Sequence, residues 1–374
     1  MPRRHVDVSC QRLDVQRSGK LAVDPIAYAP QHLQIAQPLL KGRVRIHLLI
    51  VARRSRNDIA GMAVGADMAM YVVADHPGGP EVLEFREEPD REPGVGEVTI
   101  DVRAIGVNPV DVKQRNADGP ADFPLRPGHE VAGVVTAVGP DTPFQVGDEV
   151  LAFRVFGGYA TRLVVAASDV FLKPANVGFD EAAGLLLVGV TAVHALTRVR
   201  ASGGDVVLAH GASGSVGQAL IQLAVAQGVR VIGTASERNL GLVRELGAVA
   251  TTYGAGLIDR VRELAPEGID AAIDLVGTEE AIDTSLALVE DHSRVTTIVG
   301  GPYPTQLGVQ KIGRGIGADP GTEIRDAARH GLVEAAGRGD LKTRVVARYP
   351  LAQAAEAQKF VAEGHAAGKI ILVP

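Results

Sequence analysis

The chain has 374 residues, 46% hydrophobic and 22% charged, which is enough for two folded cores and ordinary for a globular protein. Its formal net charge of −6 argues against nucleic acid or an anionic membrane as partner, and no run of 18 apolar residues is present to span a bilayer. The single cysteine, Cys10, excludes an intrachain disulfide and a four-cysteine zinc site, leaving a cytoplasmic location as the plain expectation.

Residues 1–67 hold 11 basic and 5 acidic side chains, whereas the rest of the chain holds 27 basic and 39 acidic. The segment shows no sustained helical or strand period, so it is expected to be a disordered or spurious N-terminal extension. Asp7, Asp14 and Asp24 speak against a transit peptide, which is poor in acids. From Tyr71 onward short β segments follow one another: Val98–Ala104, Val131–Gly139, Glu149–Phe153 and Ala160–Val165, separated by turn residues. Strands at that spacing predict a small β-barrel. A helix then opens at Phe179, with Asp180 as its expected cap.

Beyond it strands and helices alternate. The strand Val206–His210 leads into a helix predicted over Val216–Gln227, then a strand Arg230–Thr234 and a helix Leu240–Leu246. Val249–Tyr253, Ile258–Leu264, Asp270–Val276 and Arg294–Val299 continue the pattern. Apolar strands alternating with helices predict an α/β fold with a parallel, doubly wound sheet. A last helix, Leu351–Glu363, and a last strand, Lys369–Val373, are expected to return to the barrel. The expected division is 68–187 plus 320–374 for one domain and 188–319 for the other.

Gly211-Ala212-Ser213-Gly214-Ser215-Val216-Gly217 lies between a strand and a helix. Glycines there permit a tight turn and close backbone approach to a pyrophosphate, onto which the helix N-terminus aims its amides. The next strand tip reads Thr234-Ala235-Ser236-Glu237-Arg238, with no acid on the tip itself. Ser236 and Arg238 suit a 2′-phosphate, which predicts NADPH over NADH; Glu237 turned inward would reverse that.

The order of motifs from about residue 68 resembles the zinc-independent medium-chain dehydrogenase/reductase superfamily, quinone oxidoreductase (zeta-crystallin-like) branch. Carrying the likeness are Gly106-Val-Asn108-Pro-Val-Asp111, Pro127-Gly-His-Glu-Val-Ala-Gly133, Val146-Gly-Asp-Glu-Val150 and Gly157-Gly-Tyr-Ala160. Val188-Gly-Val-Thr191-Ala, the glycine turn and Gly368-Lys-Ile-Ile-Leu-Val-Pro374 continue it. The resemblance implies a GroES-like β-barrel catalytic domain, a Rossmann NADPH-binding domain, a cleft between them and a homodimer.

It also implies Asn108 and Asp111 as the polar residues on the nicotinamide and substrate side, Thr191 beside the nicotinamide and Tyr253 near the adenine end. Read from the residues alone, Asn108-Pro109 makes a turn and Asp111 caps a helix over Val112–Asn116. Many relatives carry a tyrosine where this chain has Lys113. Zinc-containing relatives carry a cysteine in place of Asn108, so no metal is expected, and His129 is read as a turn histidine bonded to nearby backbone. The implied reaction is metal-free hydride transfer from NADPH to a quinone or an α,β-unsaturated carbonyl. The alternatives are an enoyl or alkenal reductase of the same fold and a non-catalytic NADPH-binding protein.

Overall fold

The computed structural model describes residues 68–118, 121–315, 317–364 and 366–374; the reading of residues 1–67 lies outside them. The chain opens with an antiparallel pair, β1 (Met68–Ala74) and β2 (Leu83–Pro89). Strand β3 (Glu97–Val107) then runs to Asn108-Pro109, where proline, lacking an N–H, stops the strand and begins α1 (Pro109–Arg115). Asn108 is therefore the cap, and Asp111, expected to cap a later helix, is the third helical residue. Its carboxylate reaches back to accept from the Asn108 N–H at 2.8 Å.

Strands β4 (Glu130–Val138), β5 (Glu149–Phe153), β6 (Arg162–Ala166) and β7 (Val170–Leu172) follow. Helix α2 (Phe179–Ala182) is capped by Gly178 rather than Asp180, which sits in the first turn and pairs with Arg348. The long α3 (Leu186–Arg198) is almost wholly buried.

The parallel sheet is built from β8 (Val206–His210), α4 (Ser215–Ala226), β9 (Arg230–Ala235), α5 (Leu240–Glu245), β10 (Val249–Thr252), α6 (Leu257–Leu264) and β11 (Ala271–Asp274). It is completed by α7 (Glu279–Leu288), β12 (Val295–Thr297), α8 (Pro302–Gln306) and β13 (Gln310–Lys311). The strand order is β10-β9-β8-β11-β12-β13, all parallel. Side chains alternate across it. Val207, Ala209, Val231 and Ile273 pack with α3 and α4, while Leu208, Ile232 and Ala272 pack with α6 and α7. Succession reverses at β8, so β8 and β11 end side by side at the carboxyl edge, where open α/β sheets bind ligands.

The chain closes with α9 (Thr322–Arg338), β14 (Val345–Pro350), α10 (Ala354–Ala362) and β15 (Lys369–Val373). The last two strands join the first sheet, in the order β14-β15-β3-β4-β5-β7, with β6 also on β3. One edge of β3 is thus shared: its N-terminal half pairs with β6 and its C-terminal half with β15. That sharing brings Lys369, Asn108 and Glu130 to one place, over a core that includes Val98, Ile100, Val131 and Ile370.

Candidate active site

The turn after β8 is held by backbone contact. Gly211 has φ +75°, a region only glycine enters freely, and a Cβ on Gly217 would lie 2.6 Å from the carbonyl oxygens of Gly211 and Ala212. A Cβ on Gly233 in β9 would meet the Ala212 methyl at 2.6 Å, so strand and turn pack with no room for a larger side chain there. Gly214 caps α4, which starts at Ser215 instead of the expected Val216. The first-turn amides of Ser215, Val216 and Gly217 have no helical acceptor and face the carboxyl edge. A dinucleotide pyrophosphate fits such a cradle.

The neighbouring strand ends complete the edge. Thr252 of β10 pairs in register with Ala235 of β9, so Ser236 and Tyr253 leave the sheet together. Ser236 is half-buried; Glu237, Arg238 and Tyr253 are exposed, and Arg238 makes no ion pair among the described residues. In the opposite direction His210 is level with Thr234 and Asp274. Asp274 accepts the N–H groups of Val276 and Gly277, each at 2.9 Å, and the Thr297 hydroxyl at 2.6 Å. That turn lies directly against Gly211, whose added Cβ would meet Val276 at 2.6 Å. His210 is buried between them, and burial pulls its pKa down to about 4 against the opposing pull of the Asp274 charge. Its Nε2 has no partner among the described residues.

A second polar feature is a buried cluster of charged side chains. Lys369 Nζ donates to Asn108 Oδ1 and to Glu130 Oε1, each at 2.6 Å, with both members of the ion pair 2% exposed. Asn108 Nδ2 donates to Glu130 Oε1 at 3.0 Å and to the Gly106 carbonyl at 3.2 Å. The second Glu130 oxygen accepts the Leu187 N–H at 2.9 Å, tying the cluster to the start of α3. Asp111, fully buried, accepts from the Tyr159 hydroxyl at 3.1 Å. Burial raises the Asp111 pKa, with His129, the Asn108 N–H, Tyr159 and Lys369 pulling the other way. Burial first, then the Asp111 charge, pushes the Tyr159 phenol well up.

Asn108 and Asp111, expected together on the cleft, are thus together, but their polar atoms are bonded to protein groups. His129 was expected to bond backbone; it instead meets the Oε1 of Gln114, on α1, at 2.8 Å. Tyr159 is a buried member of this cluster as well as a turn residue. The Lys369–Glu130 pairing has no local signal: the residues lie 239 apart, and a lysine opening an apolar strand reads as an ordinary strand end.

Thr191 lies on the buried face of α3, and its hydroxyl donates to the Leu187 carbonyl at 2.8 Å. The same α3 turn therefore carries both Leu187, bonded to Glu130, and Thr191. Among the described residues no three His, Cys, Asp or Glu side chains gather as a metal site, and no helix is long and apolar enough to cross a membrane.

Comparison with known proteins agrees with this architecture. Residues 94–175 match the alcohol dehydrogenase GroES-like domain, and residues 215–314 the family described as zinc-binding dehydrogenase. Mouse quinone oxidoreductase is 33% identical over 83% of this chain and 100% of its own length. The chain belongs to the quinone oxidoreductase branch of the medium-chain dehydrogenase/reductase superfamily. This medium-chain reductase is also 34% identical to a quinone oxidoreductase of Pseudomonas aeruginosa, over 79% of the chain and 97% of the relative. The NADPH-dependent alkenal/one oxidoreductase of Arabidopsis thaliana chloroplasts is 31% identical over 85% of the chain and 82% of its own. A solved mycobacterial protein in complex with NADPH superposes with a TM-score of 0.72 at 32% identity, covering 82% of this chain and 100% of that one. The protein is therefore an oxidoreductase of an NAD(P)-binding family, with a GroES-like and a Rossmann-type part.

Proposed function

We propose that this reductase uses NADPH to reduce a quinone or an α,β-unsaturated carbonyl without a metal ion. The observations that carry the reading are two features of the fold. One is a backbone cradle at Gly211–Gly217; the other is a polar cluster in which Lys369 already supplies the positive charge beside Glu130. When bound, NADPH supplies a hydride from its nicotinamide C4 to the electron-poor acceptor.

The residues of this chain do the rest. Gly211, Ala212, Gly214, Ser215, Val216 and Gly217 hold the pyrophosphate through backbone amides, and Ser236 and Arg238 hold the 2′-phosphate. Tyr253 flanks the adenine and Thr191 orients the nicotinamide end. Asn108 and Asp111 act as positioning residues: bonded to Lys369, Glu130 and Tyr159, they fix the end of β3 and the start of α3 that carries Thr191. The proton that completes reduction comes from solvent, since the buried Tyr159 phenol is held strongly protonated.

The donor set supports the absence of a metal. Glu130 is committed to Lys369, Asn108 and the Leu187 N–H, and a divalent cation there would face a buried ammonium at hydrogen-bond distance from both. We further assign 68–187 plus 320–374 to the catalytic domain, 188–319 to the cofactor domain, and a homodimer to the assembly. The likeness to an alkenal/one oxidoreductase keeps enones beside quinones as acceptors.

The test is NADPH oxidation by metal-stripped protein against a panel of quinones and enones. The expected outcome is turnover unaffected by chelators and highest with quinones. A requirement for stoichiometric zinc, or oxidation of simple alcohols only, overturns the reading.

A further inference from the structure

The arginines around the start of α9 are not equivalent. Arg154 pairs with Asp326 at 2.6 Å and Arg329 with Asp169 at 2.6 Å. Arg325 takes no carboxylate among the described residues. Its Nε donates to Nδ1 of His194 at 3.1 Å, and its Nη1 reaches the Thr191 hydroxyl at 3.5 Å. His194 is fully buried. Because its Nδ1 accepts, its proton belongs on Nε2, which faces Asp319 at 3.4 Å. The guanidinium is therefore gripped by a neutral ring, which fixes its position but does not cancel its charge.

Several features agree that this charge is uncompensated. Burial, then the charges of Arg314 and Arg154, bring the Arg325 pKa down to about 10, with Asp319 the one acid opposing them. His194 is held below its usual value by burial first and by Arg325 second. Gly321, at φ +54°, comes so close to the His194 ring that a Cβ there would collide with it, so the ring is tightly seated. Two further cations stand nearby: the Arg325 guanidinium lies by Gly313, and Lys311 by Gly315, with the charge of Lys311 felt at Lys113. Lys311, at the end of β13, lies against the backbone of Gly300 and Gly315. Desolvation and the charge of Lys311 lower the pKa of Lys113 on α1, while Asp118 raises it. Neither lysine makes an ion pair among the described residues.

We propose that Arg325, with Lys311 and Lys113 extending the positive surface, is an anion subsite beside Thr191, and that the acceptor reduced here carries a carboxylate. The proposal rests on the assignment of Thr191 to the nicotinamide end. A planar guanidinium whose Nη2 is unbonded among the described residues can donate from that nitrogen to a carboxylate. The carboxylate is a handle and is not itself reduced. The hydride and its two electrons go to the conjugated carbon or quinone ring, and solvent supplies the proton.

The experiment compares a carboxylated naphthoquinone with its methyl ester, using the holoenzyme. The expected result is a kcat/KM ratio favouring the acid by about tenfold or more, falling towards unity in Arg325→Met and partly restored in Arg325→Lys. Titration of NADPH fluorescence runs alongside. Equal losses for acid and ester, or a loss confined to NADPH affinity, overturn the proposal, the latter because the cation would then serve the cofactor's phosphates. Calorimetry of the acid with NADP⁺-loaded protein needs no turnover. Arg325-dependent binding without reduction of either quinone would keep the subsite and sink the reductase reading. Absence of binding together with equal rates would sink the subsite alone.

Discussion

The carboxyl edge of the parallel sheet and the cluster under Asn108 both gather polar groups, yet the first uses backbone and the second uses charged side chains. At Gly211–Gly217 small residues bring strands and helix into contact and leave amides facing outward, ready for an anion. Around Lys369 the groups point inward and satisfy one another: an ammonium, a carboxylate, an amide and a helix N–H close a network that contains no solvent-exposed member. The first arrangement waits for a ligand. The second fixes where the first domain's strands and α3 meet, which is a positional task. The contrast shows that polarity near an active site does not by itself mark the groups that touch substrate.

The sharpest way to break this contrast is Lys369→Met. It leaves Glu130 buried and uncompensated, and the expected loss is about 3–5 kcal/mol of stability. Adding Glu130→Gln is expected to restore part of it. Denaturant unfolding of the single and double variants checks this, and a single variant as stable as the parent would mean the pair is not the structural clamp described.

His210 lies between the two styles, a buried side chain at the cradle's edge, and it gives a pH signature. Its folded pKa of about 4 lies below the usual 6.5, so between these values the unfolded chain holds the extra proton. Stability therefore rises with pH across that window, and the contribution is lost as pH falls through it, by about 1.4 kcal/mol for each pH unit of full difference. His210→Gln is expected to flatten the profile in urea unfolding between pH 7 and pH 4.5. An unchanged slope would assign the acid sensitivity to other groups.

The smallest of the three effects belongs to the open edge. Arg238→Ala is expected to weaken NADPH by about ten- to a hundredfold, or roughly 1.5–3 kcal/mol, with little change for NADH. Fluorescence titration with both cofactors reads the result, and equal losses would remove Arg238 from the phosphate site. Exposed and without an ion pair among the described residues, Arg238 is free to serve this role, as is Glu237 to oppose it.

The boundaries show how legible each region was. Val206–His210, Glu149–Phe153 and Lys369–Val373 coincide with the observed strands because a run of four apolar residues with one polar residue at its end, bounded by turn residues, is a local signal. The helix starts at Phe179 and Leu240 coincide as well, whereas those expected at Val112, Val216, Ile258 and Leu351 lie one to three residues from the observed ones. Asp180 and Asp111 are good capping residues in isolation, but Gly178 and Asn108 hold the cap positions. At Asn108 the reason is local after all, since Pro109 sets the first helical residue.

Sequence alone determined the alternation of strands and helices, the glycine turn and its place between β8 and α4, because these depend on neighbours a few residues away. Only the tertiary structure decided that Lys369 meets Glu130 and that Arg325 meets His194, 131 residues distant, with no carboxylate partner among the described residues. Such pairings depend on which strand edges and helix faces the folded chain brings together, and no short-range pattern in a single chain encodes them.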